Sequence, residues 1–148
     1  MKNPTSLKLR RTRVLVFGTF DGLHEGHKDF FRQAKEHGGH LTVVVGRDST
    51  VQRVKNKPPK ISEQKRLKTV GDCELVNEAV LGNEGNDPYK IIKEINPDII
   101  CLGYDQTHFT EKLEEKIEEM GLDIKVKRLK AYKPEVYKSS IINNRPVA

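Results

Sequence analysis

Short apolar runs alternate along the chain with stretches in which apolar residues recur every three or four positions. Residues 13–17 form a β-rich run, RVLVF, that stops at Gly18. From about Gly26 to His37 the apolar positions Phe30, Phe31 and Ala34 fall at helical spacing, and Gly38-Gly39 ends that helix. Residues 40–46 are Val-rich and continuous, the pattern of a strand buried on both faces of a parallel sheet. Residues 48–56 read as a short helix or a loop, and Lys57-Pro58-Pro59-Lys60 interrupts any regular element. Ser62 followed by Glu63 and Gln64 caps a helix ending near Gly71, and residues 74–81 are a further strand candidate. Asp87-Pro88 opens a helix to Ile95, Asn96-Pro97 breaks it, and an apolar strand follows at 98–102. Residues 110–120 make a charged helix with Leu113 and Ile117 on one face. Residues 123–129 alternate apolar and basic positions, as in a strand nearer a sheet edge.

Strands alternating with helices imply right-handed βαβ units. The fold class expected is therefore α/β, with a mainly parallel sheet of about five strands and helices on both faces. Ligands of such sheets sit beyond the carboxyl ends of the strands, where the strand order reverses. Two segments directly follow strong strands and so become site candidates, 18–27 and 103–106. Residues 1–12, with Lys2, Lys8, Arg10 and Arg11 and little apolar content, read as a basic lead-in to a single domain over 13–148.

Composition narrows this further. The 148 residues suffice for one hydrophobic core despite an apolar fraction of 35%. Lysine and arginine total 27 against 21 acidic residues, a net charge of +6. That balance favours anionic ligands without choosing among nucleotides, phosphorylated metabolites and nucleic acid. No apolar signal segment opens the chain and no run of about 18 apolar residues occurs, so membrane spanning is not expected and a cytoplasmic location is. Cys73 and Cys101 lie far apart, as free thiols of a reducing compartment would.

The first candidate loop, 18–27, reads GTFDGLHEGH. It has neither the GxxxxGK[ST] spacing of a P-loop nor the GxGxxG of a dinucleotide fingerprint. His24 and His27 flank Gly26 at the start of the first helix. A helix N-terminus presents unpaired N–H groups, and a glycine there lets a phosphate approach the backbone. Imidazoles beside it can donate to phosphate oxygens during an in-line displacement at phosphorus. Spacing alone leaves a helix cap plus a solvated histidine equally open. HEGH is one residue short of HExxH, which argues against zinc. His37 and His40 share the spacing but sit at the other end of the helix, in a turn.

GTFDGLHEGH after an apolar strand resembles the GTFDxxHxGH signature of the cytidylyltransferase-like nucleotidyltransferases, a class of the wider HxGH superfamily with a Rossmann-like sheet. The likeness covers most of 13–140. Residues 46–51, the basic stretch 55–60, Glu63-Gln64-Lys65-Arg66, 102–106 and KAYKPEVYKSS together resemble the archaeal-type FAD synthases, adenylyltransferases that join the AMP moiety of ATP to FMN. The resemblance implies nucleotide binding by Thr19 and Phe20 through their backbone, by His24, Glu25, Gly26 and His27 around the triphosphate, and by Asp105, Tyr132, Ser139 and Ser140. It implies catalytic roles for His24 and His27, to which the basic stretch adds Lys55 ahead of Lys57 and Lys60. Mg²⁺ would be held mainly by phosphates and water, with Asp21 beside it; a loop-capping turn is the competing role for Asp21. A homodimer is the family's common state.

Two other readings stay open at this point. A cytidylyltransferase making a CDP-alcohol from CTP would carry an RTxGxST-like segment, where this chain has Tyr137-Lys138-Ser139-Ser140 with neither Arg nor Gly. A basic nucleic-acid-binding module, or a nucleotide sensor on the same fold, would use the basic lead-in and the 55–60 loop. Aromatics are only 6% and are not interleaved with those charges, which leaves no stacking platform for nucleic acid.

Overall fold

The computed structural model describes residues 11–84, 87–104, 106 and 110–131. Its strands are β1 (Arg13–Gly18), β2 (His40–Val45), β3 (Glu78–Leu81), β4 (Ile99–Leu102) and β5 (Lys125–Arg128). Its helices are α1 (Glu25–Lys35), α2 (Asp48–Lys55), α3 (Glu63–Gly71), α4 (Tyr89–Ile95) and α5 (Leu113–Glu119), the last preceded by a 3₁₀ turn at Thr110–Lys112. The strands form one sheet in the order β3-β2-β1-β4-β5, and every pairing is parallel. The α/β architecture expected from the hydrophobic pattern is the one observed.

Alternation along the strands sends side chains to two apolar layers. Val14 and Val16 of β1 and Leu41, Val43 and Val45 of β2 meet Phe31 and Ala34 of α1 and Val70 of α3. Leu15, Val44, Ile100 and Leu102 meet Ile92 of α4 and Leu113 and Ile117 of α5. Each fully buried side chain of this kind contributes about 1.5–3 kcal/mol, and β1 and β2, sealed on both faces, form the rigid centre.

Some boundaries differ from expectation. The strand expected at 74–81 begins only at Glu78, because Cys73 and Val76 are engaged in turns back to Val70 and Cys73. Pairing starts where the Asn77 N–H reaches the Leu41 carbonyl at 3.0 Å. Asn77 Oδ1 also accepts the Leu41 N–H at 2.9 Å, so one asparagine sets the register of the two strands. The segment 48–56 resolves as helix, ended by Asn56 in the left-handed region at φ 60°.

The strand order reverses between β1 and β4: the chain travels outward through β2 and β3, then returns to pair β4 on the other side of β1. Both candidate loops therefore open at the same crevice.

Candidate active site

β1 stops at Gly18 because the chain must turn under an aromatic ring. Phe20 adopts φ 55°, a left-handed conformation that costs a non-glycine residue of order 1 kcal/mol. Burial of its ring offsets this: Phe20 is 5% exposed and packs against Phe31 and, edge-on, against His27, with ring centroids 5.4 and 5.2 Å away. The ring lies over Gly18 so closely that a Cβ there would sit 2.4 Å from Phe20 Cζ. Gly18 is thus a steric requirement of the Phe20 turn.

The two histidines cap α1 with each other's help. The Gly26 N–H donates to His24 Nδ1 at 3.0 Å, and the His24 N–H donates to His27 Nδ1 at 3.3 Å. Their rings stack at 3.8 Å. An Nδ1 that accepts a hydrogen bond carries no proton, so each neutral ring bears its hydrogen on Nε2. Burial lowers the pKa of His27 to about 4, with the charges of His24 and Lys55 adding to the effect and a hydrogen bond with the Gly22 backbone opposing it. Burial also lowers that of His24, against the pull of Glu25. The cap role and the donor role, alternatives in the sequence, use different nitrogens of the same rings: Nδ1 holds the helix and Nε2–H is the donor, which in His27 is directed at the Gly22 carbonyl.

Asp21 is engaged with the loop after α2. Its two carboxylate oxygens accept the N–H groups of Lys60 and Ile61 at 2.8 and 2.7 Å. Burial pushes the Asp21 carboxyl up, but those two N–H groups and the charges of Arg66 and Lys55 outweigh it and hold its pKa below the usual value. The capping role, here across two loops, is the one the hydrogen bonds display.

Beneath this lies a residue whose role the sequence did not reveal. Arg66 of α3 is fully buried. Its Nε donates to the Ile61 carbonyl (2.8 Å), its Nη1 to the carbonyls of Thr19 (2.8 Å) and Gly46 (2.7 Å), and its Nη2 to Asp48 Oδ1 (2.7 Å). One planar guanidinium thereby fixes the ends of β1 and β2, the start of α2 and the 60–61 loop. Arg66 falls four residues before the buried Val70, the one signal in the pattern that set it on the inner face.

Across the crevice, Gln106 ties the β4 exit to β1: its Oε1 accepts from the Gly103 N–H at 3.1 Å and its Nε2 donates to the Phe17 carbonyl at 3.3 Å. Arg128 of β5 donates to the carbonyls of Gly103 and Gln106. The Gln33 amide pairs with both backbone groups of Lys130 at 2.9 Å, holding the chain beyond β5 against α1. Asp105, Tyr132, Ser139 and Ser140 lie outside the described residues.

A cavity of about 440 Å³ opens beside Gly18 and Thr19, lined by residues of α2, the β3 exit and α4 and reaching Gln106 beyond β4. Lys55, at the end of α2, stands on its wall, and its charge reaches both His27 and Asp21. Among the described residues no three His, Cys, Asp or Glu side chains come together as a metal cage, and no helix is long and apolar enough to cross a membrane.

Residues 15–145 match the family described as cytidylyltransferase-like. The chain belongs to that family. Among its members, an FAD synthase of Methanobrevibacter smithii is 48% identical over 123 residues, covering 81% of this chain and 80% of that one. An FAD synthase of Thermoplasma volcanium is 39% identical over 133 residues, covering 90% and 92%. A crystal structure of a Thermoplasma volcanium protein, titled a lipopolysaccharide core biosynthesis protein, superposes with a TM-score of 0.78 at 40% identity and covers 84% of this chain and all of that one. The cytidylyltransferase-like family expected from GTFDGLHEGH is thus the one found.

Proposed function

We propose that this chain is a nucleotidyltransferase that moves AMP from ATP to FMN, giving FAD and pyrophosphate. The observation that carries this is the histidine pair, held as neutral Nε2–H donors at the amino end of α1 on the switch point, in a chain 39–48% identical to FAD synthases over most of its length.

ATP takes the crevice between β1 and β4, with its phosphates at Gly26, His24 and His27. FMN takes the β2–β3 side, its phosphate directed to the same point past Lys55. An oxygen of the FMN phosphate attacks the α-phosphorus of ATP in line, the bond from that phosphorus to the bridging oxygen of the β-phosphate breaks, and pyrophosphate leaves. The acceptor phosphate is already ionised at neutral pH, so no side chain has to remove a proton. The protein supplies alignment and hydrogen-bond donors to oxygens that gain charge. Each Asp21 oxygen retains a lone pair beyond its backbone bond, which fits one carboxylate contact to a Mg²⁺ held chiefly by phosphates and water. Such an ion neutralises triphosphate charge. The protein acts in the cytoplasm, and the homodimer common in the family is checked by light scattering.

Pyrophosphate release, measured for ATP and CTP crossed with FMN, glycerol 3-phosphate and phosphocholine, tests the assignment. Turnover is expected with ATP and FMN. Turnover confined to CTP and an alcohol phosphate would overturn it.

A further inference from the structure

Two substrates must meet at one point, and the segments proposed to hold them are separate. The histidines belong to the turn that leaves β1, whereas Lys55 ends α2, which follows β2. In an in-line transfer the attacking oxygen and the phosphorus have to stand about 3–3.5 Å apart, and an error of about 1 Å costs on the order of 100-fold in rate.

α2 is weakly anchored for that task. Val51 alone among its side chains is buried, and no side chain caps its start. From Asp48 to Lys55 the helix rises about 10 Å, so a tilt of about 6° at Asp48 displaces Lys55 by about 1 Å. The ties that oppose such a tilt come from α3: Glu63 Oε1 accepts the Asp48 N–H at 2.7 Å, and Arg66 Nη2 donates to Asp48 Oδ1 at 2.7 Å.

The same guanidinium reaches the turn that carries the histidines. Backbone pairing between β1 and β2 extends as far as the Gly46 N–H and the Gly18 carbonyl. Beyond that point Arg66 continues the link, with Nη1 shared between the carbonyls of Thr19 and Gly46 and Nε on the carbonyl of Ile61. The Ile61 N–H is held in turn by Asp21, two residues after Thr19. A closed circuit of hydrogen bonds therefore runs from Thr19 through Arg66 and Ile61 to Asp21, and Asp48 is fastened to the same planar group.

We infer that Arg66 is a positioning residue for the transfer, setting the acceptor phosphate against the triphosphate by holding the histidine turn and α2 in one frame. This rests on the function proposed above and extends it to a side chain that, being fully buried, touches neither substrate. Each substrate keeps its own contacts when the frame loosens, so the loss falls on kcat and spares both KM values.

The test is steady-state pyrophosphate release by the full chain with ATP and FMN, at a temperature where circular dichroism and the stoichiometry of ATP binding show each variant to be folded. Arg66→Lys keeps the charge and loses the planar fork. Its kcat should fall about tenfold or more while the KM for ATP and the KM for FMN each stay within about twofold of wild type. A role in stability alone would leave full kcat per folded molecule. A smaller fall in the folded variant, or a loss carried by either KM, would overturn the inference. Should Arg66→Lys not fold, Asp48→Ala decides, since it removes only the α2 contact at a half-exposed position. Its kcat should fall about threefold or more at unchanged KM values, and a smaller fall would overturn the inference. Turnover confined to CTP and an alcohol phosphate would sink the FMN assignment, and the same comparison with that pair would still decide the role of Arg66. Absence of turnover with every pair would overturn both.

Discussion

His27 is neutral in the folded protein at a pH where a free imidazole is half charged. Its folded pKa is about 4 against an ordinary 6.5, so between those values the unfolded chain binds the proton first. Its contribution to stability is complete above about pH 6.5 and is lost as pH falls toward 4. Thermal melts across that window should show a decline that is shallower in His27→Asn. In pyrophosphate-release assays at neutral pH, His27→Ala should lower kcat by about 100-fold or more, as loss of a comparable oxyanion donor does. Gly18 makes a sharper case, since nothing about it is chemical. Gly18→Ala places a methyl group on the Phe20 ring and should lower both Tm and kcat while far-ultraviolet circular dichroism remains that of an α/β fold. The histidines were legible in the sequence because their spacing, the glycine between them and the preceding strand all lie within the fifteen residues 13–27. That both rings cap the helix through Nδ1 and keep their hydrogen on Nε2 was not, since tautomers are set by hydrogen bonds that spacing does not specify.

Elements were legible where periodicity was strong and blurred where turns intervened. β1, β2 and α1 carry unbroken apolar patterns, and their positions matched expectation within one or two residues. β3 did not, because Leu75 and Val76 supply apolar residues to a turn that the pattern cannot tell from a strand. Arg66 escaped for another reason: in EQKRLK a charged helix residue reads as solvated, and burial of a guanidinium requires acceptors that come from distant segments. Arg66→Leu should cost about 3 kcal/mol or more in urea denaturation, because it strands the carbonyls of Thr19, Gly46 and Ile61 at about 1–3 kcal/mol for each that stays buried, while the half-exposed Asp48 turns to water. Arg66→Lys should recover only part of this, since a single ammonium cannot serve four segments held by a planar fork.

At the scale of the whole molecule, a net charge of +6 surrounds a reaction between two anions. The summed field should draw both substrates in, so kcat/KM for ATP is expected to fall several-fold between roughly 20 and 200 mM salt, with kcat little changed. A kcat/KM indifferent to salt would show that the excess charge serves something other than substrate capture. The reversal of strand order also divides labour between the two flanks of β1. The β4–β5 flank, braced by Gln106 and Arg128, is built separately from the β2–β3 flank, braced by Arg47. The flanks meet along β1 and in the apolar layer where Val44 of β2 and Ile100 and Leu102 of β4 pack with Ile92. With the acceptor on the α2 side, as proposed, changes in the α2 and 82–89 segments would alter its walls and leave the histidine pair in place, so descendants of one such chain could acquire new alcohols or phosphates as partners while inheriting the same phosphate-binding turn.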